Sequence, residues 1–86
     1  MRFEFDADKS ASNRQKHGID FVKGQAIWDD PNRCRGDIDF VLEQRSLVTG
    51  KIDGKTWTAV ITYRFGVIRI ISIRRARRNE EARYGR

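Results

Sequence analysis

Few side chains of this 86-residue chain can act on a substrate: His17, Cys34, Tyr63, Tyr84, and a large supply of arginine. Arg64, Arg69, Arg74, Arg75, Arg77 and Arg78 fall on or just beyond one stretch. From Arg64 to Arg86 there are eight Arg, no Lys and two acids, Glu80 and Glu81, a net of +6, while residues 1–63 balance ten basic against ten acidic residues. The whole positive excess is therefore arginine, which grips phosphate bidentately and keeps its charge in any environment. This set fits one reaction in particular, cleavage of an RNA phosphodiester without a metal. The 2′-hydroxyl attacks phosphorus, and a fixed cation stabilises the charge that builds on the phosphorane. One group takes the 2′ proton and another protonates the leaving oxygen. Histidine suits either transfer near neutral pH, which singles out His17; Tyr63, Tyr84 and Lys16 are weaker candidates.

Each of these residues also has a plainer use. His17 precedes Gly18 and suits the last turn of a helix as a simple cation. Arg74 and Arg75 point to opposite faces if their strand continues through both, and Glu80 or Glu81 is placed to pair with one of them. Arg77, Arg78 and Arg83 fit a solvated or phosphate-tracking surface. Tyr84 can pack its ring as readily as use its hydroxyl. Cys34 stands alone, so an internal disulfide is excluded, and no His or acid is placed to make it a nucleophile. No metal-ligand spacing, glycine-rich phosphate loop or serine triad is present, and no cofactor is implied. The same basic excess also fits a non-catalytic module that docks an acidic protein partner or nucleic acid.

The elements that must position these residues read as one domain over 1–86. A short strand, 2–5, leads to a helix from Ala7 to His17, capped by Asp6, ended by Gly18, and shallowly buried through Ala7 and Ala11. Asp20 caps a second helix with a buried stripe of Phe21, Val22, Ala26, Ile27 and Trp28. Pro31 and its neighbours stop it, and residues 32–37 read as an exposed polar loop. Ile38, Phe40 and Leu42 begin a strand or extended lead-in that resumes at Arg45 and reaches Ile52. Asp53-Gly54 marks a hairpin. Strands 55–64 and 67–74 follow, joined by Phe65-Gly66. A last helix starts near Arg77 or Asn79, with Asn79 as its expected cap, and ends at Tyr84. The order β-α-α-β-β-β-α predicts an α+β domain: an antiparallel sheet with two helices on one face, and the arginines and the last helix on the other. The chain lacks an apolar run of membrane-spanning length and a signal peptide's regions, which predicts a cytoplasmic protein without membrane contact.

Several segments, in order, resemble the BrnT family of bacterial toxins, the toxin half of BrnT–BrnA toxin–antitoxin modules. They are Phe5-Asp6 with Lys9 and Asn13; Lys16-His17-Gly18-Ile19-Asp20-Phe21; Asp30-Pro31; Glu43 and Arg45 with Gly50; Arg64; and Arg69-Ile70-Ile71-Ser72-Ile73-Arg74-Arg75-Ala76 with Glu80 and Tyr84. The resemblance implies a RelE/ParE-like fold and a ribonuclease that arrests translation and growth. It implies a cognate BrnA-like antitoxin with a ribbon-helix-helix DNA-binding domain, and contact with operator DNA only through the antitoxin complex. It marks Lys16, His17, Arg64, Arg74 and Arg75 as the expected catalytic set. Arg69, Arg77, Arg78 and Tyr84 are the expected RNA contacts. Ile73 stands where the family often has a small residue, which predicts a narrowed space beside Arg74.

Overall fold

The computed structural model describes residues 1–39 and 44–85. Phe40, Leu42 and Glu43, read above as part of a strand and a motif, lie outside the described residues, as does Arg86. The elements are β1 (Phe3–Glu4), α1 (Ala7–His17), a 3-10 helix (Lys23–Asp29), β2 (Cys34–Asp39), β3 (Gln44–Ile52), β4 (Lys55–Arg64), β5 (Val67–Arg75) and α2 (Arg78–Tyr84). The class is α+β, as expected. The strands form one sheet in the order β1-β5-β4-β3-β2. Every pairing is antiparallel except β1 with β5. Residues 32–37 are not wholly loop, because Cys34–Asp37 pairs with β3 as an edge strand. The polar composition of that stretch reflects an exposed sheet edge, where charge discourages further pairing.

Both hairpin tips are left-handed at two successive residues, Asp53-Gly54 (φ 50° and 80°) and Phe65-Gly66 (φ 49° and 78°). Two positive φ values match the twist of the flanking strands. Asp tolerates that conformation; Phe does so poorly.

Helix α1 begins and ends where the sequence predicts. Asp6 accepts from the Asp8 and Lys9 amides, and Gly18 closes the helix at φ 81°. Its buried side is not the expected one. Ala7 and Ala11 are exposed, whereas Ser10 and Asn13 are buried. This helix is held by hydrogen bonds rather than by an apolar stripe. Asn13 Nδ2 donates to the carbonyls of Ile19 and Ile73, both at 2.8 Å, and its Oδ1 accepts from the Ile73 amide at 3.2 Å. β1 covers β5 only at Ile68 and Arg69. Further along, the Asn13 carboxamide takes the place of a neighbouring strand and satisfies an edge that would otherwise be buried unpaired. Ser10 Oγ accepts from the Phe21 amide at 2.9 Å, which ties down the start of the next turn.

The second helical segment is 3-10, not α. Its N-cap position is Val22 rather than the expected Asp20, although Asp20 Oδ1 still accepts from the amide of its first residue, Lys23, at 2.8 Å. Phe21, Gly24 and Ile27 are buried, a strict spacing of three, while Val22 is 65% exposed. Three residues per turn puts the first set in register on one side. Gly24 is where the sheet comes closest: a Cβ there would sit 1.8 Å from Ile73 Cδ1. Ile73 is fully buried in this helix-covered core with Phe21, Ile27, Ala59, Ile61 and Ile70. The expectation that Ile73 narrows the space beside Arg74 is corrected, because the two side chains leave β5 on opposite faces.

Ala has the better helical propensity, by about 1 kcal/mol, but overpacking here costs about 1–3 kcal/mol. Gly24→Ala is expected to lower the thermal midpoint, at roughly 4–8 °C per kcal/mol for a domain this small. Adding Ile73→Val, which removes the clashing Cδ1, should recover part of the loss. A double variant less stable than Gly24→Ala would refute this packing account.

Candidate active site and its arginine partners

The sheet has two faces with different contents. On one, β4 and β5 present Trp57, Ala59, Ile61, Ile68, Ile70 and Ile73 toward α1 and the 3-10 helix. The other face carries Thr49, Thr58 and Arg74 toward α2. Which terminal arginine goes where is decided by an irregularity between Val60 and Ile61. Beyond it the pairs are Ile61 with Ile70; before it they are Val60 with Ser72, leaving Ile71 as an extra residue in β5. An extra residue resets the alternation of a strand. Arg75 therefore lies opposite Trp57, and Arg74 opposite Thr58.

Arg75 is exposed, and its guanidinium lies 5.5 Å from the centre of the Trp57 ring. Its Nε donates to the Thr56 carbonyl at 3.3 Å. Neither terminal nitrogen has a partner among the described residues. The stack orients the guanidinium and leaves its bidentate edge open. Trp57 also lines a cavity of about 200 Å³ with Gly18, Ile19, Lys23, Ile52, Asp53 and Lys55. Gly18 directly follows Lys16 and His17, which are exposed in the last turn of α1 with Arg14. The C-terminal end of a helix favours such cations. Gly18, the residue after His17, thus borders the cavity beneath Trp57, on whose ring Arg75 lies.

Arg74 is differently placed. Its Nη1 and Nη2 donate to Glu80 Oε1 and Oε2 at 2.7 and 2.9 Å, a bidentate pair. Glu80 is 2% exposed. Its Oε1 also accepts from the Arg77 amide at 2.7 Å, which closes the first turn of α2, and from Thr58 Oγ1 at 3.0 Å. Thr58 gives its only proton to Glu80, so Thr49 donates to Thr58, at 2.8 Å. Glu80 rather than Asn79 organises the start of α2. These donors hold the Glu80 carboxyl down at about 2, with the Arg74 hydrogen bonds the largest cause. Arg74 can reach a phosphate only by leaving this buried carboxylate.

The remaining expected residues are spread out. Arg64 closes the other end of β4, seven residues from Trp57, or ~23 Å at about 3.3 Å per residue. It does not share a site with Arg75, and Tyr63 stands beside it at that end of β4. Arg69 faces Glu4 at 3.9 Å. Arg77 and Arg78 are exposed at the start of α2. Tyr84 donates its hydroxyl to Asp30 Oδ2 at 2.5 Å, and Lys51 Nζ lies 5.8 Å from its ring centre. Asp30 also accepts from the Lys51 and Asn32 amides, and its pKa is lowered, chiefly by the Tyr84 hydrogen bond. Tyr84 is thus engaged in fastening α2 to the sheet. The sequence reading missed Trp57, whose position opposite an arginine depends on the extra residue in β5.

Over residues 5–80 the chain matches a family model described as the ribonuclease toxin, BrnT, of type II toxin–antitoxin systems. The chain belongs to the BrnT toxin family. The family's character makes this BrnT toxin one half of a pair with a cognate antitoxin, and a member of a ribonuclease family. No curated protein matches the chain. Among the described residues, no helix of the toxin is long and apolar enough to cross a membrane.

The acid limb of stability should report Glu80. Its carboxyl sits at about 2 in the fold against an ordinary 4.5. A depressed carboxylate stabilises above its unfolded pKa and loses that contribution as pH falls toward the folded value, on the order of 3 kcal/mol here. Wild type should therefore lose thermal stability between about pH 4.5 and 2. Glu80→Gln should be less stable near neutral pH and show a flatter acid limb. Superimposable acid limbs would remove Glu80 from this role.

Proposed function

We propose that this toxin cleaves RNA by attack of the 2′-hydroxyl, without a metal, and thereby arrests translation and growth. The observation that carries the reading is the open guanidinium edge of Arg75, held on Trp57 beside the His17 end of α1. Arg75 grips the scissile phosphate and stabilises the charge on the phosphorane. His17 and Lys16 share the proton work: one takes the 2′ proton as O2′ bonds to phosphorus, the other protonates the 5′ oxygen as its bond to phosphorus breaks. The products are a 2′,3′-cyclic phosphate and a 5′-hydroxyl. Arg74 acts as a positioning residue, fixing the end of β5 through Glu80. Arg64, Arg69, Arg77 and Arg78 attract the RNA backbone from separate places on the surface. The cognate antitoxin is a ribbon-helix-helix protein that masks this end of the toxin, and the complex reaches operator DNA only through the antitoxin. The compartment is the cytoplasm, where RNA and antitoxin are both at hand.

The test is cleavage of an end-labelled RNA in EDTA. Wild type should cut, and Arg75→Ala and His17→Ala should lose most of the activity while keeping the wild-type circular dichroism. Arg75→Lys should lose about tenfold or more, because a point charge cannot replace a bidentate fork. Strict dependence on added magnesium, or an unaffected Arg75→Lys, would overturn the mechanism.

A further inference from the structure

Away from Arg75, a second cavity brings exposed rings and arginines together over the edge of the core, and the proposed chemistry does not use them. Between the start of β2, the end of β4 and the 3-10 helix lies an open cavity of about 570 Å³, whose lining includes Trp28, Arg33, Arg35, Val48, Tyr63 and Ile68. The Arg35 guanidinium lies 5.0 Å from the centre of the Tyr63 ring. With that partner in place, Tyr63 remains 46% exposed, and Phe65 at the adjoining hairpin tip is 104% exposed. Phe65 is also held at φ 49°. An aromatic in a left-handed turn position, fully in water, gains nothing from packing and loses against Asn, Asp or Gly in backbone energy. Its ring serves no purpose within the fold.

The charge lining this cavity is positive, from Arg2, Arg33 and Arg35. Arg2 has no ion pair among the described residues, and Arg33 only donates to the Asp30 carbonyl at 3.2 Å. Arg35 keeps one acid, Asp37, at 3.1 Å. Exposed rings interleaved with arginines are the chemistry of single-stranded nucleic acid: bases stack on the rings, and arginines hold the phosphates between them. The geometry points to a docking subsite for single-stranded RNA at Tyr63 and Phe65, with the Arg35 guanidinium brought onto the Tyr63 ring. The two rings stand at the far end of β4 from Trp57 and Arg75, while the 33–35 backbone runs beside Gly50 and Val48, midway between the two. The identity of the ligand rests on the ribonuclease reading. The subsite holds the flanking strand and takes no part in bond cleavage. From Trp57 to Tyr63 is six residues, ~20 Å at about 3.3 Å each. An RNA must extend over at least about six stacked nucleotides, at ~3.4 Å each, to engage both ends.

Binding is measured by fluorescence anisotropy with a labelled single strand of about ten 2′-O-methyl nucleotides, long enough by that spacing. The blocked 2′ oxygen prevents attack, so binding is read whether or not the protein cleaves. Tyr63→Ala is expected to weaken it about tenfold, the effect of losing one stacked base, while Tyr63→Phe stays near wild type. Phe65→Asn separates binding from folding. It should raise the thermal midpoint, because Asn tolerates the turn, yet weaken binding several-fold. In cleavage assays Tyr63→Ala should raise KM for long substrates, leave kcat unchanged, and leave substrates shorter than about six nucleotides unaffected. Affinities of Tyr63→Ala and Phe65→Asn within twofold of wild type, or equal binding of a duplex of the same length, would overturn the subsite. A wild type that binds the oligomer in this pattern yet cuts no RNA would instead overturn the ribonuclease mechanism and leave the subsite standing.

Discussion

The structure depends most on one buried carboxylate. Glu80 accepts from Arg74, Thr58 and the Arg77 amide, and so joins the last helix to β4 and β5. A charge removed from water is tolerable only when its partners are all present. Here they come from β4, β5 and the residue before α2, so the node forms only when those elements are assembled. It also settles the use of Arg74, whose terminal nitrogens face a carboxylate in the geometry they would present to a phosphate. The open arginine is therefore its neighbour.

Much of the fold is legible in the sequence because it follows local rules. Asp6 and Gly18 bound α1, Asp53-Gly54 and Phe65-Gly66 turn the hairpins, and β-branched runs mark β4 and β5. What was hidden depends on distant partners. The polar attachment of α1 rests on Asn13 meeting the Ile73 backbone, sixty residues away. The 3-10 geometry follows the triplet Phe21, Gly24 and Ile27, which an α-helical template blurs. β2 looked like loop because an edge strand is polar for a reason unrelated to flexibility.

The site was legible in kind and not in place. Counting back from the Phe65-Gly66 turn with strict alternation sets Arg74 opposite Trp57; the extra residue at Ile71 sets Arg75 there instead. The dense arginine run of the last 23 residues is not a single patch in space. Strand alternation and helix rotation send Arg64 to one end, Arg75 to the other, Arg74 inward and Arg77 and Arg78 onto α2. Conversely Arg2, Arg33 and Arg35, from residues 1–63, which carry no net charge, line one cavity with Tyr63. Local net charge along a sequence thus says little about which cations meet.

The contact between Gly24 and Ile73 bears on how this chain can change over generations. The two positions lie in segments read as separate motifs, yet they share one small volume under the sheet. A side chain can enter at 24 only after 73 has shrunk, and a smaller residue at 73 leaves a void until 24 grows. The order of the two steps is therefore set by mechanics. The path that shrinks first passes through a cavity, and the path that grows first passes through a clash. Lineages in which residue 73 is small carry room for a side chain at 24 that this molecule does not have.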